Sequence, residues 1–113
     1  MHELSLCESI VTLVVESAGR EGIRRVTRVT VDIGAGAAID PDALLFCFPL
    51  VTEDTLAAGA ELAIERTALK ARCDACGTDY APDTLIAPCP TCGGTRRTLL
   101  AGREMRVVSF EGE

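Results

Sequence analysis

The chain has 113 residues, of which six are cysteine, one is histidine and none is tryptophan. At 48% hydrophobic and 25% charged residues the composition is globular, which excludes wholesale disorder, and the length allows one modest core plus a small appendage. Eleven basic against 17 acidic residues give a formal charge of −6, so there is no general basic face for phosphates and nucleic-acid binding is not expected.

Met1-His2-Glu3 leads directly into a mixed apolar and polar stretch, without the basic and apolar regions of a secretory signal. No apolar run approaches about 18 residues, so no membrane span is expected. A cytoplasmic chain with reduced thiols follows as the expectation, and the even cysteine count does not read as three disulfides.

Residues 4–18 place Leu4, Cys7, Val11, Val14 and Ala18 at alternating spacings of three and four, with Ile10 and Leu13 widening the stripe. That spacing predicts an amphipathic helix, closed by Gly19. Residues 26–33 put Val29, Val31 and Ile33 on one face and Thr30 and Asp32 on the other, which predicts a strand. Asp40-Pro41 reads as the cap and first residue of a second helix with Leu44, Leu45, Phe48 and Val51 inward. Pro49 should kink or end it. Residues 61–72 and 104–111 are two further strand candidates, and the cysteine segment lies between them.

The expected fold is α+β: a small three-stranded sheet with two helices, plus an inserted zinc-ribbon-like module built on four cysteines. The expected domains are 1–72 together with 96–113, and the module at 73–95. That segment holds no basic residue and three aspartates, Asp74, Asp79 and Asp83.

Cys73-Asp-Ala-Cys76 and Cys89-Pro-Thr-Cys92 are two CxxC pairs twelve residues apart, each followed by glycine (Gly77, Gly93). Two intervening residues let a tight turn aim both sulfurs at one ion, and two such turns complete a tetrahedron. Four cysteines leave zinc no open position, so the site is structural. Rubredoxin-like iron is the competing metal, and the lack of surrounding aromatics weighs against it. Cys7 and Cys47 fall on or beside apolar helical stripes and read as small buried hydrophobes.

His2 is the one histidine, and its position matters more than its number. The Met1 α-amine, the His2 amide nitrogen and the His2 imidazole can close two fused chelate rings. Amide ionisation favours Ni(II) or Cu(II), which prefer planar nitrogen fields, over Zn(II). A further ligand must then come from Glu3 or elsewhere in the fold. From the residues alone, a protein-interaction zinc ribbon without nickel also fits, as does a rubredoxin-like iron carrier.

The Met1-His2-Glu3-Leu4-Ser5 opening and the paired CxxC motifs resemble the HypA/HybF family of nickel-incorporation proteins for [NiFe]-hydrogenase maturation. So do the VxVxIG strand from Val29 to Gly34, Phe46 and Phe48, and the closing Glu104-Met105-Arg106-Val107. The resemblance implies a non-enzymatic metallochaperone that transports Ni(II) and holds structural Zn(II). It implies His2 as the nickel ligand, Glu3 contributing through its backbone or side chain, and Asp40 near the nickel. Cys73, Cys76, Cys89 and Cys92 match its zinc ligands. The implied partners are the nickel-handling GTPase HypB and the hydrogenase large subunit, with urease supplied by some members and a homodimer left open. Some members also use a histidine of the zinc module, and none stands there in this chain.

Overall fold

A computed structural model describes residues 3–113, so Met1 and His2 lie outside the described residues. The chain divides into two compact units. The first comprises Met1–Asp32, Ala38–Glu65 and Arg106–Glu113; the second comprises Ile33–Ala37 and Arg66–Met105. The cysteine segment 73–95 lies inside the second unit, which also takes in both flanks of that segment.

The first unit begins with α1 (Glu3–Arg20), whose buried residues Cys7, Ile10, Val11, Val14 and Ala18 form the expected stripe. Leu4 and Leu13, at the margins of the stripe, stay half exposed. The helix passes through Gly19 and ends at Arg20. Ile23 N–H bonds to the Ala18 carbonyl at 2.9 Å and Gly22 N–H to that of Gly19 at 3.2 Å, a paired closure that needs a left-handed residue between them. Gly22, at φ 73°, supplies it. The closing glycine is therefore Gly22 and not Gly19.

Strand β1 (Val26–Ile33) buries Val29, Val31 and Ile33 completely, as its alternation requires. Asp32, on the other face, is buried as well and reaches Arg106 of β6 (Met105–Gly112) at 3.5 Å. Helix α2 (Pro41–Val51) buries Leu44 and Phe48, whereas Leu45 is exposed and Val51 only half-buried. Pro49 does not end α2. The helix runs two residues further because Thr52 closes it, its N–H bonding to the Phe48 carbonyl at 3.1 Å and its hydroxyl to the same carbonyl at 2.9 Å.

Strand β2 (Glu61–Glu65) pairs parallel to β1, with Val29 beside Leu62 and Val31 beside Ile64. The β1–α2–β2 run thus forms a crossover unit. On the other side of β1, Arg25 and Glu113 exchange backbone bonds and the Thr27 hydroxyl donates to the Glu111 carbonyl, so β6 runs antiparallel. The sheet order is β2-β1-β6, the expected three-stranded sheet with two helices. Complete burial of side chains such as Val14, Val29, Val31 and Leu44 contributes about 1.5–3 kcal/mol each, which makes apolar contact the main stabilising term of the unit.

The second unit holds an additional sheet, β4-β3-β5, built from β4 (Asp79–Tyr80), β3 (Lys70–Cys73) and β5 (Arg97–Ala101). Both pairings are antiparallel, with Arg72 beside Asp79 and Cys73 beside Arg97. Residues 61–72, expected as a single strand, are β2 and the start of β3, separated by 66–69. The apolar parity changes across this gap. Leu62 and Ile64 are the inward residues before it, and Leu69, Ala71 and Cys73 are the buried ones after it. One straight strand cannot present both sets to one face. No helix of the described residues is long and apolar enough to cross a membrane.

Candidate metal centre

Strand β3 delivers Cys73 at its last residue, and the chain turns immediately. Gly77 N–H bonds to the Cys73 carbonyl at 2.9 Å and Cys73 N–H to the Thr78 carbonyl at 2.9 Å, closing the first knuckle over Cys76. The second repeats the pattern, with Gly93 N–H on the Cys89 carbonyl at 2.8 Å and Cys89 N–H on the Gly94 carbonyl at 3.0 Å. Gly77 and Gly93 sit at φ 76° and 72°, the left-handed backbone that a side chain would oppose.

These turns bring Cys73, Cys76, Cys89 and Cys92 together, with all four sulfurs within 4.8 Å of one another. Cys73 Sγ and Cys92 Sγ are 3.5 Å apart, and Cys76 Sγ and Cys89 Sγ 3.7 Å. A disulfide needs about 2.05 Å, so these are neither bonded nor spaced for bonding. A tetrahedron with metal–sulfur bonds of about 2.3 Å has edges of roughly 3.8 Å, which the cluster fits. The donor chemistry agrees. Thr78, through its hydroxyl and its N–H, lowers the Cys76 thiol to about 6. Cys92 accepts the Gly94 N–H, which favours its thiolate, yet the crowding of Cys73 and Cys76 pushes it up to about 12. Four thiolates at this spacing repel one another unless a cation sits among them.

The segment joining the two knuckles is tied by a residue that motif reading passed over. Arg97, half-buried on β5, donates to the carbonyls of Leu85, Ala87 and Thr95. The Thr98 hydroxyl donates to the Asp74 carboxylate at 2.9 Å, holding the first knuckle to β5. The only advance signal was their position shortly after the last cysteine. Folding also changes the local charge. The 73–95 segment has no basic residue, but the unit containing it gathers six basic against four acidic residues.

In the first unit, two of the other candidate residues come together. The Asp40 N–H donates to Glu3 Oε2 at 3.1 Å, so the first residue of α1 lies against the cap of α2. Asp40 is extended, at φ −84° and ψ 112°, and its own Oδ1 accepts the Asp42 N–H at 3.0 Å. Met1 and His2, the chain's immediate extension from Glu3, are outside the described residues. Cys7 is fully buried and Cys47 half-buried, in keeping with a packing role.

Residues 1–112 match the family model described as "Hydrogenase/urease nickel incorporation, metallochaperone, hypA". The chain belongs to the HypA family. It is 41% identical over all 113 residues to the hydrogenase maturation factor HypA of Geobacter metallireducens and 42% identical to that of Geotalea uraniireducens, with each chain fully covered. The solution structure of the Ni metallochaperone HypA from Helicobacter pylori superposes with a TM-score of 0.70 at 27% identity, covering 99% of this chain and 97% of that one. A second solution structure of a HypA protein gives 0.75 at 29% identity, covering 100% and 97%. HypA proteins are maturation factors rather than catalysts, and membership places this chain in nickel incorporation, among the machinery that matures hydrogenase.

Proposed function

We propose that the chain carries Ni(II) at its N-terminus, between the Met1 α-amine, the backbone amides that follow and the His2 imidazole, with Glu3 and Asp40 as the adjacent oxygen donors. The observation that supports this reading is the Asp40 N–H to Glu3 bond, which holds Asp40 beside Glu3, the residue that follows His2. Nickel here is cargo. A site made partly from terminal backbone gives up its ligands one at a time, which suits handing the ion to a partner and involves no catalysis by this chain. The GTPase HypB and the hydrogenase large subunit are the proposed donor-side and acceptor-side partners.

Zn(II) is the proposed resident metal, held by Cys73, Cys76, Cys89 and Cys92 and supplying a fixed tetrahedral crosslink between the two knuckles. The thiolates require a reducing compartment such as the cytoplasm. In this reading the domain that carries nickel is 1–72 together with 96–113, and 73–95 carries zinc.

Extending the N-terminus by one residue blocks the amine chelate. Nickel binding by the extended chain, followed by calorimetry, should be lost while zinc content stays at one per chain. Equal nickel affinity with and without the extension would overturn the chelate. His2→Ala should behave as the extension does.

A further inference from the structure

Helix α2 is apolar on every side. From Ala43 to Val51 no side chain carries a charge, an amide or a hydroxyl, a pattern that belongs to a helix covered all round. Only one side of α2 is covered. Leu44 and Phe48 are buried, whereas Leu45, Phe46, Pro49 and Leu50, at i, i+1, i+4 and i+5, form one continuous face open to solvent. Phe46 is 73% exposed and Leu50 57%. A contiguous apolar surface of this kind marks a contact site. The ends of the face are acidic. Asp42 precedes it by about one turn, and Glu53 and Asp54 follow the Thr52 cap. All three are exposed, and none forms an ion pair among the described residues. Residues 38–65 as a whole hold six acidic residues and no basic one.

That charge selects what covers the face. A second copy of α2 sets acid against acid whichever way the two helices run, and an anionic lipid surface is repelled in the same way. We propose that the outer face of α2 docks a protein partner that presents an apolar strip with lysine or arginine beyond each end. From Asp42 to Leu50 the face spans about 12 Å at 1.5 Å per residue, so the partner's basic groups stand at least that far apart. Phe46 and Leu50 are the anchors, and the acids at the two ends fix the register and repel partners of the wrong sign. Asp40 caps the same helix, about 7–8 Å along its axis from Leu45. A partner seated here is therefore held beside the proposed oxygen donors, as a partner exchanging the ion must be. This role rests on the nickel reading, whereas the docking itself does not.

The probe is an amphipathic helical peptide of about 14 residues, with leucines on one face and lysines on the rest. A control peptide carries glutamate in place of every lysine. Fluorescence anisotropy with the zinc-loaded full chain should show binding of the lysine peptide that weakens as salt rises, and no binding of the control. Amide shifts should concentrate at 42–54. The dissociation constant should rise roughly tenfold or more in Phe46→Ser with Leu50→Ser, two exposed positions where the fold loses no packing. Asp42→Asn with Glu53→Gln and Asp54→Asn should weaken binding as well and flatten its salt dependence. Nickel binding should be unchanged in the Phe46 and Leu50 variant, and His2→Ala should dock the peptide as the wild type does, so failure of either reading is seen separately. Equal binding of the glutamate peptide, shifts centred outside 42–54, or a serine variant that binds as the wild type does would overturn the proposal. So would a dimer lost in the serine variant, or flotation of the wild-type chain with phosphatidylglycerol vesicles.

Discussion

Asp40 combines two jobs that substitution can separate. Its carboxylate caps α2 by accepting the Asp42 N–H at 3.0 Å, and the same carboxylate is the proposed oxygen donor to nickel. Its backbone N–H holds Glu3, and that bond is available whatever side chain stands at 40. Asparagine caps about as well as aspartate, whereas alanine loses about 1 kcal/mol. At about 2.1 cal/mol/K per residue, unfolding entropy converts this loss into a fall of roughly 4 °C if the whole chain melts together, and roughly 7 °C if the first unit melts alone. Calorimetric melting should therefore find Asp40→Asn near the wild type and Asp40→Ala lower by that amount. Nickel titration should find both variants weakened alike, because neither has a carboxylate. An Asp40→Asn variant that melts as low as Asp40→Ala would refute the cap argument. One that binds nickel as the wild type does would remove Asp40 from the nickel site.

Cys73→Ala should abolish zinc binding and unfold the second unit, as should a strong chelator, since structural zinc sites supply on the order of 10–16 kcal/mol. Metal analysis together with amide exchange of β3 and β5 would check both, and a chain that stays folded after zinc removal would refute the crosslink role. Burial, reinforced by Cys47 and Glu8, pushes the Cys7 thiol from its ordinary 9.0 up to about 11. The unfolded chain therefore loses this proton first. The thiol's contribution is complete below about pH 9 and is lost as pH rises toward 11, an effect of about 2–3 kcal/mol. Urea denaturation across that range should show a steeper decline for the wild type than for Cys7→Ala. At pH 8, iodoacetamide should label the half-buried Cys47 ahead of Cys7.

The elements of the first unit were legible because each is specified locally. The α1 stripe, the alternation in β1 and the Asp40-Pro41 start of α2 are periodic or stereochemical signals that act within a few residues. Element ends were less legible. Gly19 and Gly22 are equally good closers by composition, and the choice between them depends on which lets the Ile23 N–H reach the Ala18 carbonyl. Pro49 is a helix breaker in isolation, and here Thr52 closes the chain around it. Strand β5 opens on Arg97 and Thr98 and shows little alternation in sequence, and becomes a strand only because β3 offers it an edge beside the metal cluster.

The sequence by itself determined the four-sulfur chemistry, because two CxxC turns fix sulfur positions through backbone bonds only a few residues long. It also made His2 a candidate, because a chelate of amine, amide and imidazole nitrogens draws on adjacent residues, whereas any further ligand depends on the fold. Tertiary structure alone decided that Glu3 and Asp40, 37 residues apart, share a hydrogen bond. It also decided that Arg97 ties the segment between the knuckles. These two features are contacts between elements. They depend on how separate stretches of chain approach one another, and no local spacing encodes that.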